Sequence, residues 1–196
     1  DTTIQAFKVA EALYIPAMVV LDAFSLSHTY EVVEVPDQAK VDAYLPKFKP
    51  YARVTPDEPR AFNGLTGPEN YMELRYQLQK DMEQAVPLIG RRLTLADEYR
   101  TDDAEIILVT SGTAGYTAHV AVEEMRAAGL KVGNLRMRVF RPFPFDLVRR
   151  VLPKAKKVAV VDRNISYGHS GAFAQEVKSA LHGRADVPVF GFIAGL

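Results

Sequence analysis

Between Ala104 and Ala194 the chain alternates short apolar runs with helical patterns, and Gly or Pro punctuates the changes. Ala104–Thr110 (AEIILVT) is an apolar run, Ser111-Gly112-Thr113 follows, and a helical stretch reaches Ala128 before Gly129 stops it. Lys131–Phe140 is extended, Arg141-Pro142-Phe143-Pro144 turns the chain, and Phe145–Leu152 is a short amphipathic helix. Lys156–Asp162 (KKVAVVD), a loop over Asn164–Gly171, a helix over Ala172–His182 and a strand over Val187–Ala194 complete the series. This alternation predicts a doubly wound α/β domain, a parallel sheet covered on both faces by helices. Ligands of open parallel sheets gather beyond the carboxyl ends of the strands. Ser111–Ala114, Arg141–Pro144 and Arg163–Gly171 are therefore the loops where a site is expected.

The first half carries less pattern. Asp1–Leu13 reads as a helix already under way, with Ile4, Phe7, Ala10 and Leu13 to one side. Pro16–Asp22 (PAMVVLD) predicts a buried strand, Phe24–Tyr30 a loop at its carboxyl end, Glu31–Val35 a short strand, and Gln38–Tyr44 a helix closed by Pro46. Four prolines within Pro50–Pro68 mark a linker or wrapping arm. Asn70 can cap a helix from Tyr71 to about Gly90, with Tyr71, Leu74, Leu78, Met82 and Ala85 as an apolar stripe. Leu74, Leu78 and Met82 are expected to be buried, Pro87 to kink or end the helix, and Leu93–Tyr99 to bridge to the second domain. The domains predicted are 1–50, 51–100 (arm and linking helix) and 101–196. The helix at one end and the bare Gly195-Leu196 at the other suggest a piece of a longer protein.

Composition narrows the function. Twenty-four basic residues balance twenty-four acidic ones, so no excess positive charge exists to hold a nucleic acid backbone. No apolar stretch approaches the roughly 20 residues of a membrane-crossing helix. With no cysteine, the chain can form no disulfide and no thiolate-ligated zinc or iron–sulfur site, which fits a cytoplasmic protein.

Two stretches are candidate sites. Ser111, Gly112 and Thr113 follow a strand and open a helix, so backbone amides and the helix dipole could hold an anion. The same residues also suit a tight turn in which Ser111 or Thr113 caps the helix. The densest polar stretch runs from Asp162 to Gly171, where Arg163, Asn164, Tyr167 and His169 could contact a ligand or a neighbouring subunit. A plain loop with Ser170 capping the next helix fits equally well. Asp22 can satisfy amides of the loop that holds His28, and His28 itself reads as structural. His119 and His182 fall on helices as surface residues, and no two histidines stand at metal-ligand spacing.

Four stretches carry a family resemblance over nearly the whole chain. Leu21-Asp22-Ala23-Phe24-Ser25-Leu26-Ser27-His28-Thr29 resembles a segment ending the pyrimidine-binding domain of 2-oxoacid:ferredoxin oxidoreductases, especially the α subunit of the pyruvate enzymes. Val35-Pro36-Asp37-Gln38 with Val41-Asp42 and Leu45-Pro46 resembles that family's next element, and Tyr71–Gln77 its interdomain helix. Arg141–Pro144, Asp162 and the loop with Gly168 and Gly171 are similar to its transketolase C-terminal-like domain.

The resemblance implies an enzyme of anaerobic metabolism that decarboxylates a 2-oxoacid, most readily pyruvate. It would use thiamine diphosphate with Mg, pass electrons through [4Fe–4S] clusters to ferredoxin or flavodoxin, and transfer the acyl group to coenzyme A. It further implies that catalytic and cofactor-binding residues lie upstream of Asp1 and that clusters sit in other subunits or domains. This piece alone would then bind no cofactor, carry no catalytic residue, and serve assembly. Two alternatives stay open: another thiamine enzyme acting on 2-oxobutyrate, 2-oxoglutarate or oxalate, and a stand-alone nucleotide- or coenzyme A-binding module.

Overall fold

The computed structural model describes residues 2–24, 26–50, 53–59, 68–88 and 94–195, with backbone alone for 68–70 and 84–88. It divides into two units, Asp1–Arg92 and Leu93–Leu196.

The first unit holds three helices: α1 (Thr2–Leu13), α2 (Gln38–Tyr44) and α3 (Pro68–Leu88). α1 packs against α3. Gln5, not the apolar stripe, is the buried residue of α1, and Phe7 is exposed. Neither predicted strand forms: Pro16–Asp22 and Glu31–Val35 belong to no regular element and have no ladder partners. The reason is geometric. An apolar run joins a sheet only beside another strand, and none lies next to these residues among those described. Met18 is consequently 88% exposed, and Val20, Val32 and Val35 stand in solvent with it.

The linking helix also departs from expectation. α3 opens at Pro68, where a missing N–H costs nothing, rather than behind an Asn70 cap. Pro87 sits in its last turn, as a terminator should, and the predicted end at Gly90 lies outside the described residues. Leu74 is 51% exposed, whereas Leu78 and Met82 are half-buried, so the predicted stripe is only partly covered by α1. Full enclosure of Leu78 would make its truncation cost several kcal/mol. At this burial, Leu78→Ala is expected to cost about 1 kcal/mol, read from chemical denaturation; a loss above roughly 3 kcal/mol would show an enclosed site.

The second unit is the doubly wound domain. Its strands are β1 (Ala96–Tyr99), β2 (Ile106–Ser111), β3 (Val132–Met137), β4 (Lys157–Asp162) and β5 (Val189–Ile193). They stand in the order β1-β3-β2-β4-β5, with β2 to β5 parallel and β1 antiparallel to β3. The α/β class and the four parallel strands agree with the sequence reading; β1 does not, since Leu93–Tyr99 reads as a mere bridge. Right-handed crossovers place α4 (Gly112–Ala127) on one face and α5 (Phe145–Val151) and α6 (Ala172–Leu181) on the other. The core lies on the α5–α6 side, where Ile107, Val109, Leu135, Val158, Val160 and Val177 are fully buried.

Thr110 and Asn134, buried in this unit, are paired with each other, whereas the buried His119 Nε2 has no hydrogen-bond partner. Thr110 Oγ1 donates to Asn134 Oδ1 at 2.8 Å, and Asn134 Nδ2 donates to the Gly115 carbonyl at 3.2 Å, tying β2 and β3 to the first turn of α4. Gly115 is required there, because a Cβ would stand 2.1 Å from Cδ of Arg136. Arg136 in turn bonds Asp97 on β1 at 2.5 Å and lies over the Tyr116 ring at 4.1 Å. His119 is no simple surface residue: its ring stacks on Tyr99 at 4.0 Å and is half-buried.

These contacts set an acid limit. Burial raises the Asp97 carboxyl, but hydrogen bonds from Thr94 and Arg136 outweigh it and hold the group below its ordinary range. Bonds from Tyr99 and Arg100 lower Glu123 likewise. A depressed carboxylate stabilises the fold above its unfolded pKa of about 4 and loses that contribution as pH falls through the folded value. Stability measured by circular dichroism should therefore decline below about pH 4, and Asp97→Asn should shallow the decline. An identical acid limb in that variant would remove Asp97 from the account.

Candidate functional site

The carboxyl ends of β2, β3, β4 and β5 bring the three predicted loops to one rim. Two of them meet directly. Arg163, just past β4, donates from Nη1 to Thr113 Oγ1 at 2.9 Å, across fifty positions of sequence. Ser111 provides no side-chain cap for α4, so the capping alternative for that residue is not realised. Gly112 takes φ +58°, which lets the strand turn at once into the helix. The Arg141–Pro144 loop is joined to α6 instead, through Arg141 Nη2 to Glu176 Oε1 at 2.5 Å and Phe140 edge-on to Phe173.

The loop after β4 is clamped at its base. Asp162, fully buried, accepts the Phe173 N–H on Oδ1 at 2.9 Å and the Ala174 N–H on Oδ2 at 3.0 Å. Asn164 Oδ1 accepts the Ala172 N–H at 3.0 Å. These groups cap α6, and Ser170, the predicted cap, does not. Gly171 makes room for the carboxylate, since a Cβ there would lie 2.0 Å from Asp162 Oδ2. Sequence reading missed this role because the acceptor stands eleven and twelve residues before its donors, and the one signal was a glycine immediately ahead of the helix.

The tip is a tight turn. The His169 N–H donates to the Ser166 carbonyl at 2.9 Å, and Gly168 takes φ +73°. Tyr167 is 98% exposed, and Asn164 and His169 are exposed beside it, while Arg163 is half-buried. The rim thus offers a guanidinium beside a helix N-terminus, an exposed tyrosine and a histidine. At the tip, His169 Nδ1 lies 3.3 Å from Ser170 Oγ. In the first unit, His28 has its Nδ1 2.8 Å from Ser27 Oγ and its ring stacked on Phe24. Among the described residues no three His, Asp or Glu gather as a metal site.

Comparison with known proteins decides the family. The description "Pyruvate flavodoxin/ferredoxin oxidoreductase, thiamine diP-bdg" matches residues 1–91, and "Pyruvate:ferredoxin oxidoreductase core domain II" matches residues 104–196. The chain belongs to the 2-oxoacid:ferredoxin oxidoreductases. It is 40% identical to the pyruvate synthase subunit PorA of Methanothermobacter thermautotrophicus, over all of this chain and 54% of that protein. It is 38% identical to the ketoisovalerate oxidoreductase subunit VorA of Pyrococcus abyssi, over all of this chain and 53% of that one. The chain therefore spans about half the length of the curated relatives it matches. A solved 2-oxoglutarate:ferredoxin oxidoreductase from Magnetococcus marinus superposes with a TM-score of 0.47 at 18% identity, over 66% of this chain and 21% of that one.

Thiamine diphosphate, implied by the family, does not fit the residues described in this oxidoreductase segment. Its diphosphate needs a bound cation and its ring a buried acidic partner. Asp162 is the buried carboxylate among the described residues, and both its oxygens already cap α6.

Proposed function

We propose that this chain is part of the α subunit of a pyruvate:ferredoxin oxidoreductase acting in the cytoplasm. The whole enzyme would decarboxylate pyruvate oxidatively, form acetyl-coenzyme A and reduce ferredoxin. In that enzyme the first unit closes a pyrimidine-binding domain, the second is the transketolase C-terminal-like domain, and both serve assembly around the cofactor. The observation that supports this reading is the pair of apolar runs 16–22 and 31–35, whose Met18, Val20, Val32 and Val35 are exposed. Apolar surface of that kind would be covered by neighbouring parts of the complete enzyme. The rim residues Arg163, Asn164, Tyr167 and His169 supply further contacts, with tyrosine and arginine as typical interface anchors.

Two measurements test this. The purified chain, given thiamine diphosphate, Mg, coenzyme A and either pyruvate or 2-ketoisovalerate, is expected to reduce no viologen dye; sustained turnover would refute an assembly role. In the complete complex, Tyr167→Ala with His169→Ala should weaken subunit association on size exclusion while leaving this chain's melting temperature within about 2 °C, since neither side chain is buried. Unchanged assembly would make the tip an ordinary connection.

A further inference from the structure

We infer that β1 is a releasable arm, clasped to the sheet by polar side chains and hinged at Arg100. Of its four residues only Ala96 is buried. The parallel strands are fastened differently: Ile107, Val109, Val158 and Val160 are all fully buried. Each such side chain gains more from leaving water than a solvent-facing ion pair gains from its contact.

Three elements hold the arm. On β3, Arg136 donates to Asp97 Oδ2 from Nε at 3.1 Å and from Nη2 at 2.5 Å. The Arg138 and Val139 N–H groups donate to the Leu95 carbonyl at 3.0 and 3.1 Å. From α5, Arg150 Nη2 donates to Glu98 Oε1 at 2.5 Å. On α4, Glu123 accepts the Tyr99 hydroxyl at 2.8 Å, and His119 stacks on the Tyr99 ring. Asp97 and Tyr99 are thus gripped from one face of the sheet and Glu98 from the other, mostly through groups that water can replace.

Beyond the arm the chain is fixed. Arg126 Nη2 donates to the Arg100 carbonyl at 2.9 Å and to Asp103 Oδ1 at 2.7 Å, and Thr101 and Ala104 are buried. Gly133 admits this base, since a Cβ there would stand 2.6 Å from the Arg100 carbonyl oxygen. Between base and arm, Arg100 takes φ +55°, a region that costs a residue bearing a Cβ. Docking of β1 holds Arg100 in that state, and release lets it leave, so the opening has a pivot. β1 is also the first element of the second unit, met directly after the segment that follows α3. Release adds residues 94–99 to that connection, so the arm sets how much free chain joins the units.

The absence of cysteine from the chain provides the probe. Ala96→Cys, at a position 3% exposed in β1, and Val160→Cys, fully buried in β4, are alkylated in the complete enzyme complex, with each site followed by mass spectrometry. Ala96→Cys should react at least about tenfold faster, because a local opening precedes unfolding of the whole domain. Adding Asp97→Asn with Glu98→Gln should speed Ala96→Cys by about tenfold again and leave Val160→Cys unchanged. Hydrogen exchange in the unmodified complex needs no substitution: the Arg138 and Val139 amides, bonded to Leu95, should exchange before those of β4. Equal alkylation at the two positions, or exchange of these amides only together with β4, would overturn the proposal. So would a double substitution that speeds both positions alike or neither.

Discussion

Replacing Asp162 by alanine is expected to remove about 3 kcal/mol of stability, the largest loss from any polar residue in the second unit. The carboxylate takes two N–H groups at the start of α6, one from the buried Ala174. Losing an N-terminal cap costs about 0.5–2 kcal/mol, and each buried donor left unsatisfied adds about 1–3 kcal/mol. Gly171→Ala should cost a similar amount by pushing the same carboxylate out of place, since the new Cβ would overlap Oδ2. The two changes act on one contact, so the double variant should cost clearly less than the sum of the singles. Urea unfolding followed by circular dichroism supplies the cycle. Additive losses would mean that Gly171 is needed for some other reason.

Leu135→Ala is the second large effect, expected at about 3–5 kcal/mol. Leu135 is fully buried in β3, between β1 and β2, and lies in the cluster with Ile107, Val109 and Met137. Strands press on it from both sides, so little can collapse into the space left behind, and cavity formation adds to the lost transfer energy. Leu74→Ala, on the half-covered helix of the first unit, should cost less than about 1 kcal/mol. A ratio near one between these two leucines in denaturation experiments would contradict the burial described for both.

The sequence spelled out what repeats locally. β2, β4 and β5 were legible as short apolar runs, β3 as an extended stretch between Gly129 and Pro142, and the helices between them because their apolar residues recur at helical spacing. β1 was hidden. Its four residues, Ala96-Asp97-Glu98-Tyr99, are half charged, and their place in the sheet comes from pairing with Asn134–Met137, almost forty positions on. Pro16–Asp22 shows the opposite failure: its composition demands a sheet, but the composition of a strand cannot supply its neighbour. At the rim, the loops were found by the general rule for parallel sheets, whereas their connection was not. The Arg163–Thr113 bond and the Asp162 cap join residues that no local pattern links.

The loop after β4 has a further consequence. Asp162 and Asn164 fasten its base to the first residues of α6, while everything from Ile165 to His169 stands clear of the core. Anchoring and exposure are thereby divided between different atoms of one short segment. Substitutions at the tip can accumulate without loosening the sheet beneath it. The base works as a socket, and the tip is an exchangeable fitting.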